Sequence, residues 1–252
     1  MSKTSKSMLA EPTTFHDDRC VCHPPHFNAS ECSRPGRHVV GPDAMYRHVS
    51  AGHVSWISDR SGTRRPLPIA RWLGGPASTN EDREGDEAML ELCQGPTMDV
   101  GCGPGRLTAA LAARGVPVLG VDISATAVAM TARRGAPALQ RDVFDAMPGG
   151  GHWSRVLLAD GNIGIGGDPL RMLRRARHLL HPRGQVVAEI EARTSGICTS
   201  IQRWETDHCV GRWFPWAHVG SDAARSLADA AGLLVTSTVE RSDRCIVAMR
   251  VR

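Results

Sequence analysis

A chain of 252 residues is long enough for one full α/β domain with a decorated terminus, and its 41% hydrophobic and 22% charged content is ordinary for a soluble globular protein. A formal net charge of +4, with arginines spread along the chain and only 4% aromatic residues, argues against a nucleic-acid surface. No run of about eighteen apolar residues marks a membrane span. The start Met1 to Ala10 lacks the apolar core of a signal peptide, so a cytoplasmic protein with reduced thiols is expected.

Residues 1–40 mix Ser, Thr, Pro, His and Cys without a period and read as an irregular or disordered extension. Cys20, Cys22 and Cys32, with His23 and His26 between them, are zinc-binding residue types. A Cys-x-Cys pair strains a tetrahedral site and no second well-spaced pair follows, so these cysteines are weak metal candidates and a flexible Cys/His tail is favoured. Residues 41–96 read as a cover segment. It carries Trp56, the run Arg65-Pro66-Leu67-Pro68 and the breaker Gly74-Gly75-Pro76, then a helix over 80–94 with acids crowding its first turns.

From Thr97 to the end, strands alternate with helices, which demands a mostly parallel sheet with right-handed crossovers. Strands are predicted over 98–101, 116–122, 138–143, 155–160 and 185–191, with a closing hairpin of 233–239 and 244–249. Helices are predicted over 106–114, from the Ser124 cap to Arg134, from Asp168-Pro169 onward and over 221–231.

The first strand ends in Asp99-Val100-Gly101-Cys102-Gly103-Pro104-Gly105, and the second ends in Asp122. Glycines there let the backbone approach a ligand, and the following helix presents unpaired N–H groups. A dinucleotide loop has the spacing G-x-G-x-x-G. Here the third glycine arrives one position early, and Asp99 would repel a pyrophosphate while attracting an ammonium group. Both departures point to a nucleoside bearing an amino acid, with Asp122 placed for two ribose hydroxyls.

With the Arg141-Asp142-Val143 segment, these motifs resemble the first three motifs of the class I S-adenosylmethionine-dependent methyltransferases. The resemblance spans about residue 97 to 252. Arg71-Trp72-Leu73-Gly74-Gly75 and the run from Ala159 to Pro169 resemble an actinobacterial-type small-molecule branch of those enzymes. It implies a Rossmann-like doubly wound α/β sheet of seven strands in the order 3-2-1-4-5-7-6, the last strand antiparallel. It also implies S-adenosylmethionine as methyl donor, S-adenosylhomocysteine as product and a small-molecule methyl acceptor. Gly101, Cys102, Gly103 and Gly105 would line the methionine part, with Asp99 near its amino group. Asp122 would hold the ribose and Ile123 flank the adenine. Asp142 would accept from the adenine amino group, with Val143 or Phe144 on the ring, and Ala159 and Asp160 would lie beside the sulfonium. Arg71 would reach the cofactor carboxylate.

A base is needed only where the acceptor keeps its proton near neutral pH. Glu191, His218 and His152 are the candidates, with Glu189 and His208 behind them, and Glu191 is best placed at the end of the fifth strand. The glycines from Gly161 to Gly167 read as a backbone wall of the site. Trp204, Trp213, Phe214 and Trp216 read as part of a substrate cover. The competing readings are a nicotinamide-dependent oxidoreductase and a nucleic-acid-binding protein that uses the Cys/His tail.

Overall fold

The computed structural model describes residues 38–192 and 194–252. Cys20, Cys22 and Cys32, and all but the last three residues of the expected extension, lie outside the described residues. In chain order the elements are β1 (His38–Val40), α1 (Pro42–Ser50), β2 (Trp56–Asp59), β3 (Arg64–Pro66), α2 (Ile69–Leu73), α3 (Asn80–Leu92), β4 (Thr97–Val100), α4 (Arg106–Ala113), β5 (Val118–Asp122) and α5 (Ala125–Arg133). They continue with β6 (Ala138–Gln140), β7 (Trp153–Leu158), α6 (Pro169–Leu179), β8 (Leu180–Glu191), β9 (Ile197–Glu205), β10 (Cys209–Gly211), β11 (Phe214–Val219), α7 (Ala224–Ala230), β12 (Leu233–Arg241) and β13 (Arg244–Val251).

Seven strands form one sheet in the order β12-β13-β8-β7-β4-β5-β6. Numbered along the domain this is 3-2-1-4-5-7-6, as expected, and β13 runs antiparallel to both its neighbours. The central strands are continuous apolar runs because both faces are covered. Val156, Leu158, Val186 and Ala188 face α6 and α7, whereas Leu157, Val187 and Ile246 pack with Met89 of α3 and Leu107 and Leu111 of α4. The third strand stops at Gln140 rather than at Val143 because the Asp142 carboxylate accepts from Phe144 N at 2.9 Å and turns the chain. The first helix of the expected set ends at Leu92, two residues early, ahead of Gly95 in the left-handed region.

The larger difference is a second sheet. Strands β1, β10, β9, β2 and β3 form it in that order, with β11 also paired to β9. It joins residues of the N-terminal cover to the stretch between β8 and α7. Thus His38–Val40, expected to be irregular, forms an edge strand parallel to β10. These strands escaped prediction because they are short and carry charged or half-buried side chains, such as the exposed Arg64-Arg65-Pro66 of β3. Partners distant in sequence hold them. Trp56 opposes Glu205, and the Arg64 guanidinium lies 3.8 Å from the Trp56 ring centroid. Helix α1 joins the cover to the main sheet: Asp43 Oδ1 accepts from Ser124 Oγ at 2.6 Å and Thr126 N at 2.9 Å, capping α5 from outside.

Candidate active site

The carboxyl end of β4 leads into a loop whose three glycines all have positive φ: Gly101 at 69°, Gly103 at 54° and Gly105 at 81°. A side chain at Gly105 would place Cβ 2.4 Å from Thr131 Oγ1, and one at Gly101 would meet Asn162 Nδ2 at 2.6 Å. The loop is held from both sides. Asp122 accepts from Gly103 N at 2.9 Å and from Ser124 N at 2.8 Å, and the Asn162 amide donates to the carbonyls of Val100 and Gly101 at 2.9 and 3.0 Å. Asp99, 2% exposed, accepts from Thr108 Oγ1 at 2.6 Å. Its burial pushes the carboxyl up to about 7, against the hydrogen bond from Thr108. Tyr46 of α1 approaches Gly103 from above, and burial, then the nearby Asp122, raises its phenol well beyond the usual value.

Behind the loop lies a network of charges. Asp160 follows β7 with a left-handed backbone, φ 50°, unusual for a residue with a side chain. Its backbone N–H donates to Glu189 Oε2 at 2.8 Å, and its Oδ2 accepts from Arg106 at 2.6 Å. Arg106 also grips Asp86. Arg244 joins Glu189, Asp86 and the Asp82 carbonyl, and Arg71 holds Asp82. Burial opposes ionisation of Glu189, but Arg244 outweighs it and holds that carboxyl below the usual range. At Asp160 burial wins over Arg106 and the carboxyl is raised. Asp160 Oδ1 is buried with no hydrogen-bond partner in the structure, an unmet acceptor of the kind that a bound donor or cation satisfies.

The second sheet closes the far side. Glu191 Oε1 accepts from His218 Nδ1, and His218 Nε2 lies 2.9 Å from the Gln202 amide nitrogen, which also donates to Ser200 Oγ at 2.8 Å. The hydrogen bond to His218 holds the Glu191 carboxyl below its usual range, against burial. Trp204, Phe214 and Trp216 face the same space, with Ile57 and Leu67 beside them. One cavity of ≈ 1060 Å³ runs from Asp122 and Ile123 to Trp216 and His218.

Residues 97–184 match the family model described as a methyltransferase domain. No curated protein matches the sequence. Solved structures share the fold of this chain. A methyltransferase from Bacteroides fragilis, in complex with S-adenosylhomocysteine, superposes with a TM-score of 0.68 at 17% identity, over 82% of this chain and 92% of that one. The CcbJ methyltransferase of Streptomyces caelestis gives 0.54 at 18% identity, over 71% and 92%. The 1,6-didemethyltoxoflavin-N1-methyltransferase of Burkholderia thailandensis, with 1,6-didemethyltoxoflavin and S-adenosylhomocysteine bound, gives 0.52 at 16% identity, over 68% and 78%.

Of the residues expected around the cofactor, all but Gly105 line the cavity: Arg71, Asp99, Gly101, Cys102, Gly103, Asp122, Ile123, Asp142, Val143, Ala159 and Asp160. Gly105 instead opens α4 beneath the loop. Arg71 is already engaged by Asp82, with Glu189 4.0 Å away. Of the base candidates, Glu191 and His218 come together in the cavity. His152 does not: it is exposed at the amino end of β7, away from the strand ends that build the site, beside the Gly150 carbonyl. His208 stacks edge-on with His53 outside the cavity. Trp213 also turns away, to Arg60 and Arg203.

The glycines after β7 are wall and junction at once. A Cβ at Gly164 would sit 1.8 Å from the Ala217 carbonyl oxygen, so β11 rests directly on this turn, while Ile163 is buried in the core and Ile165 lines the cavity. Sequence reasoning missed Tyr46, Arg106, Asn162, Gln202 and Arg244, all of which line the cavity. Asn162 carried a signal, an amide at the end of a strand beside a glycine loop. Arg244 lay hidden at the start of an apolar strand.

Proposed function

We propose that this chain transfers a methyl group from S-adenosylmethionine to a small-molecule acceptor. The observation that carries the reading is the single cavity shared by the glycine loop and the aromatic residues of the second sheet. Its ≈ 1060 Å³ lies just above the range of about 300–1,000 Å³ usual for one ligand, which leaves room for donor and acceptor together. The residues fit the donor. The buried carboxylate of Asp99 and the buried, orphaned Oδ1 of the half-buried Asp160 suit a ligand with an ammonium and a sulfonium group, and Asp122 suits ribose hydroxyls. When bound, the donor supplies an electrophilic methyl group. The protein aligns the nucleophile with it and excludes water, for which the charge network and the aromatic cover are built.

The Burkholderia neighbour holds 1,6-didemethyltoxoflavin together with S-adenosylhomocysteine, which supports a small-molecule acceptor here. We place the enzyme in the cytoplasm. Cys93, Cys102, Cys198, Cys209 and Cys245 are free thiols, and among the described residues no helix is long and apolar enough to cross a membrane. The test is incubation with S-adenosylmethionine carrying a labelled methyl group and a whole-cell extract, followed by dialysis. Label that passes into the dialysate as a methylated compound supports a small-molecule acceptor. Label retained solely on protein or nucleic acid contradicts it.

A further inference from the structure

We infer that His218 is the general base of this cleft, positioned by Glu191, and that the acceptor is a planar compound methylated on a phenol-type hydroxyl. The inference rests on the methyl-transfer reading above and narrows its substrate class.

The hydrogen bonds around the imidazole assign its tautomer. Glu191 is an acceptor, so Nδ1 carries the proton. The Gln202 amide nitrogen has two hydrogens: one meets Ser200 Oγ at 2.8 Å and the other points at His218 Nε2, 2.9 Å away. Nε2 therefore presents a lone pair within the cavity. Gln202 is 4% exposed and sits on β9, which fixes the arrangement from below, and Glu191 is held in turn by Thr194 Oγ1. A carboxylate behind one imidazole nitrogen and, on the other, a lone pair engaged only by an exchangeable amide hydrogen bond is the arrangement that takes a proton from a hydroxyl.

The cavity walls at this end choose the acceptor's shape. Trp204, Phe214 and Trp216 give flat apolar faces, and the cationic side chains of Arg65 and Arg212 also line it. A flat aromatic ring, with or without an acidic substituent, fits both. In the step, the acceptor hydroxyl takes the place of Gln202 at Nε2. Its oxygen forms the new O–CH3 bond as the methyl carbon–sulfur bond breaks, the bonding pair stays on sulfur, and the hydroxyl proton moves to Nε2. A neutral aromatic amine, with a free lone pair already on nitrogen, needs no such base.

Three measurements on the full chain test this. Calorimetry with S-adenosylhomocysteine comes first, because a failure to bind would overturn the methyl-transfer reading itself. In the nitrogen-15 spectrum of the labelled protein with that product bound, His218 is expected as the neutral Nδ1–H tautomer, and Glu191→Ala is expected to abolish that preference. An Nε2–H tautomer in the native protein, or one unchanged in the variant, overturns the role of the pair. Methyl transfer to catechol and 4-hydroxybenzoate is then compared with transfer to 4-aminobenzoate. The phenols are expected to be methylated. His218→Ala and His218→Gln are both expected to lower kcat about 100-fold or more, with product affinity within about threefold and partial rescue by added imidazole. Methylation of the amine alone, of neither class, or a kcat within about threefold of native in both variants overturns the inference.

Discussion

Arg244 donates from Nε and Nη2 to the two carboxylate oxygens of Glu189, each at 2.8 Å, with an arginine side chain only 1% exposed. The pair links the antiparallel strand β13 to the end of β8 and, through the Asp82 carbonyl and Asp86, to α3. Removing one member of a buried pair leaves the other charge uncompensated. Arg244→Met and Glu189→Gln are each expected to lower unfolding free energy, by about 3–5 kcal/mol for the former. In urea denaturation the double variant should lose less than the sum of the two by more than about 1 kcal/mol, because the residues act as a unit.

Asp99 gives the apo protein a signed pH response. Its folded-state carboxyl is pushed up to about 7, above the value of about 3.9 in an unfolded chain. Between those values the native state binds more protons than the unfolded one, so this group's contribution to stability falls as pH rises from about 4 to about 7 and is constant above. Asp99→Asn should remove that slope, seen as a native-minus-variant difference in thermal midpoint that shrinks or reverses across the window. A cationic ligand lowers the same carboxyl. Binding of S-adenosylmethionine near pH 6 should therefore release protons, measurable as a dependence of calorimetric heat on buffer ionisation enthalpy, and Asn at 99 should abolish it.

Gly164 and Gly151 separate packing from backbone strain. A Cβ at Gly164 meets the Ala217 carbonyl oxygen at 1.8 Å, whereas Gly151, at φ 79°, has nothing within 4 Å. Gly151→Ala should cost about 1–2 kcal/mol, from the left-handed backbone alone. Gly164→Ala should cost more than that in the same urea assay, because β11 must lift off the turn.

The main sheet was legible because its strands are buried on both faces and write themselves as apolar runs: Val156, Leu157 and Leu158 in β7, and Val186, Val187 and Ala188 in β8 are all fully buried. The glycine loop was legible because its chemistry is local, with the aspartates at 99 and 122 each at a strand end. The second sheet was not. Its pairing of Trp56 with Glu205 and of His38 with Cys209 joins segments about 150 and 170 residues apart, and a half-polar strand carries no period strong enough to announce itself. The charge network was hidden for a similar reason. Arg106, Asp86 and Arg244 look like three unrelated helix and strand residues until the fold brings them together. The two base candidates that matter, Glu191 and His218, were visible one at a time, and only the closure of β11 over the end of β8 made them a pair.

Asp122 offers the most direct test of the cofactor cleft. It holds the loop through Gly103 N and α5 through Ser124 N, and it faces the cavity. The decisive measurement is calorimetric titration of the native chain and of Asp122→Ala with S-adenosylhomocysteine, with NADH as the contrasting ligand. The native protein is expected to bind S-adenosylhomocysteine saturably, with the affinity weakened about 10- to 100-fold in the variant, equivalent to about 1.5–3 kcal/mol, and not to bind NADH. Saturable binding of NADH with no heat from S-adenosylhomocysteine would contradict it.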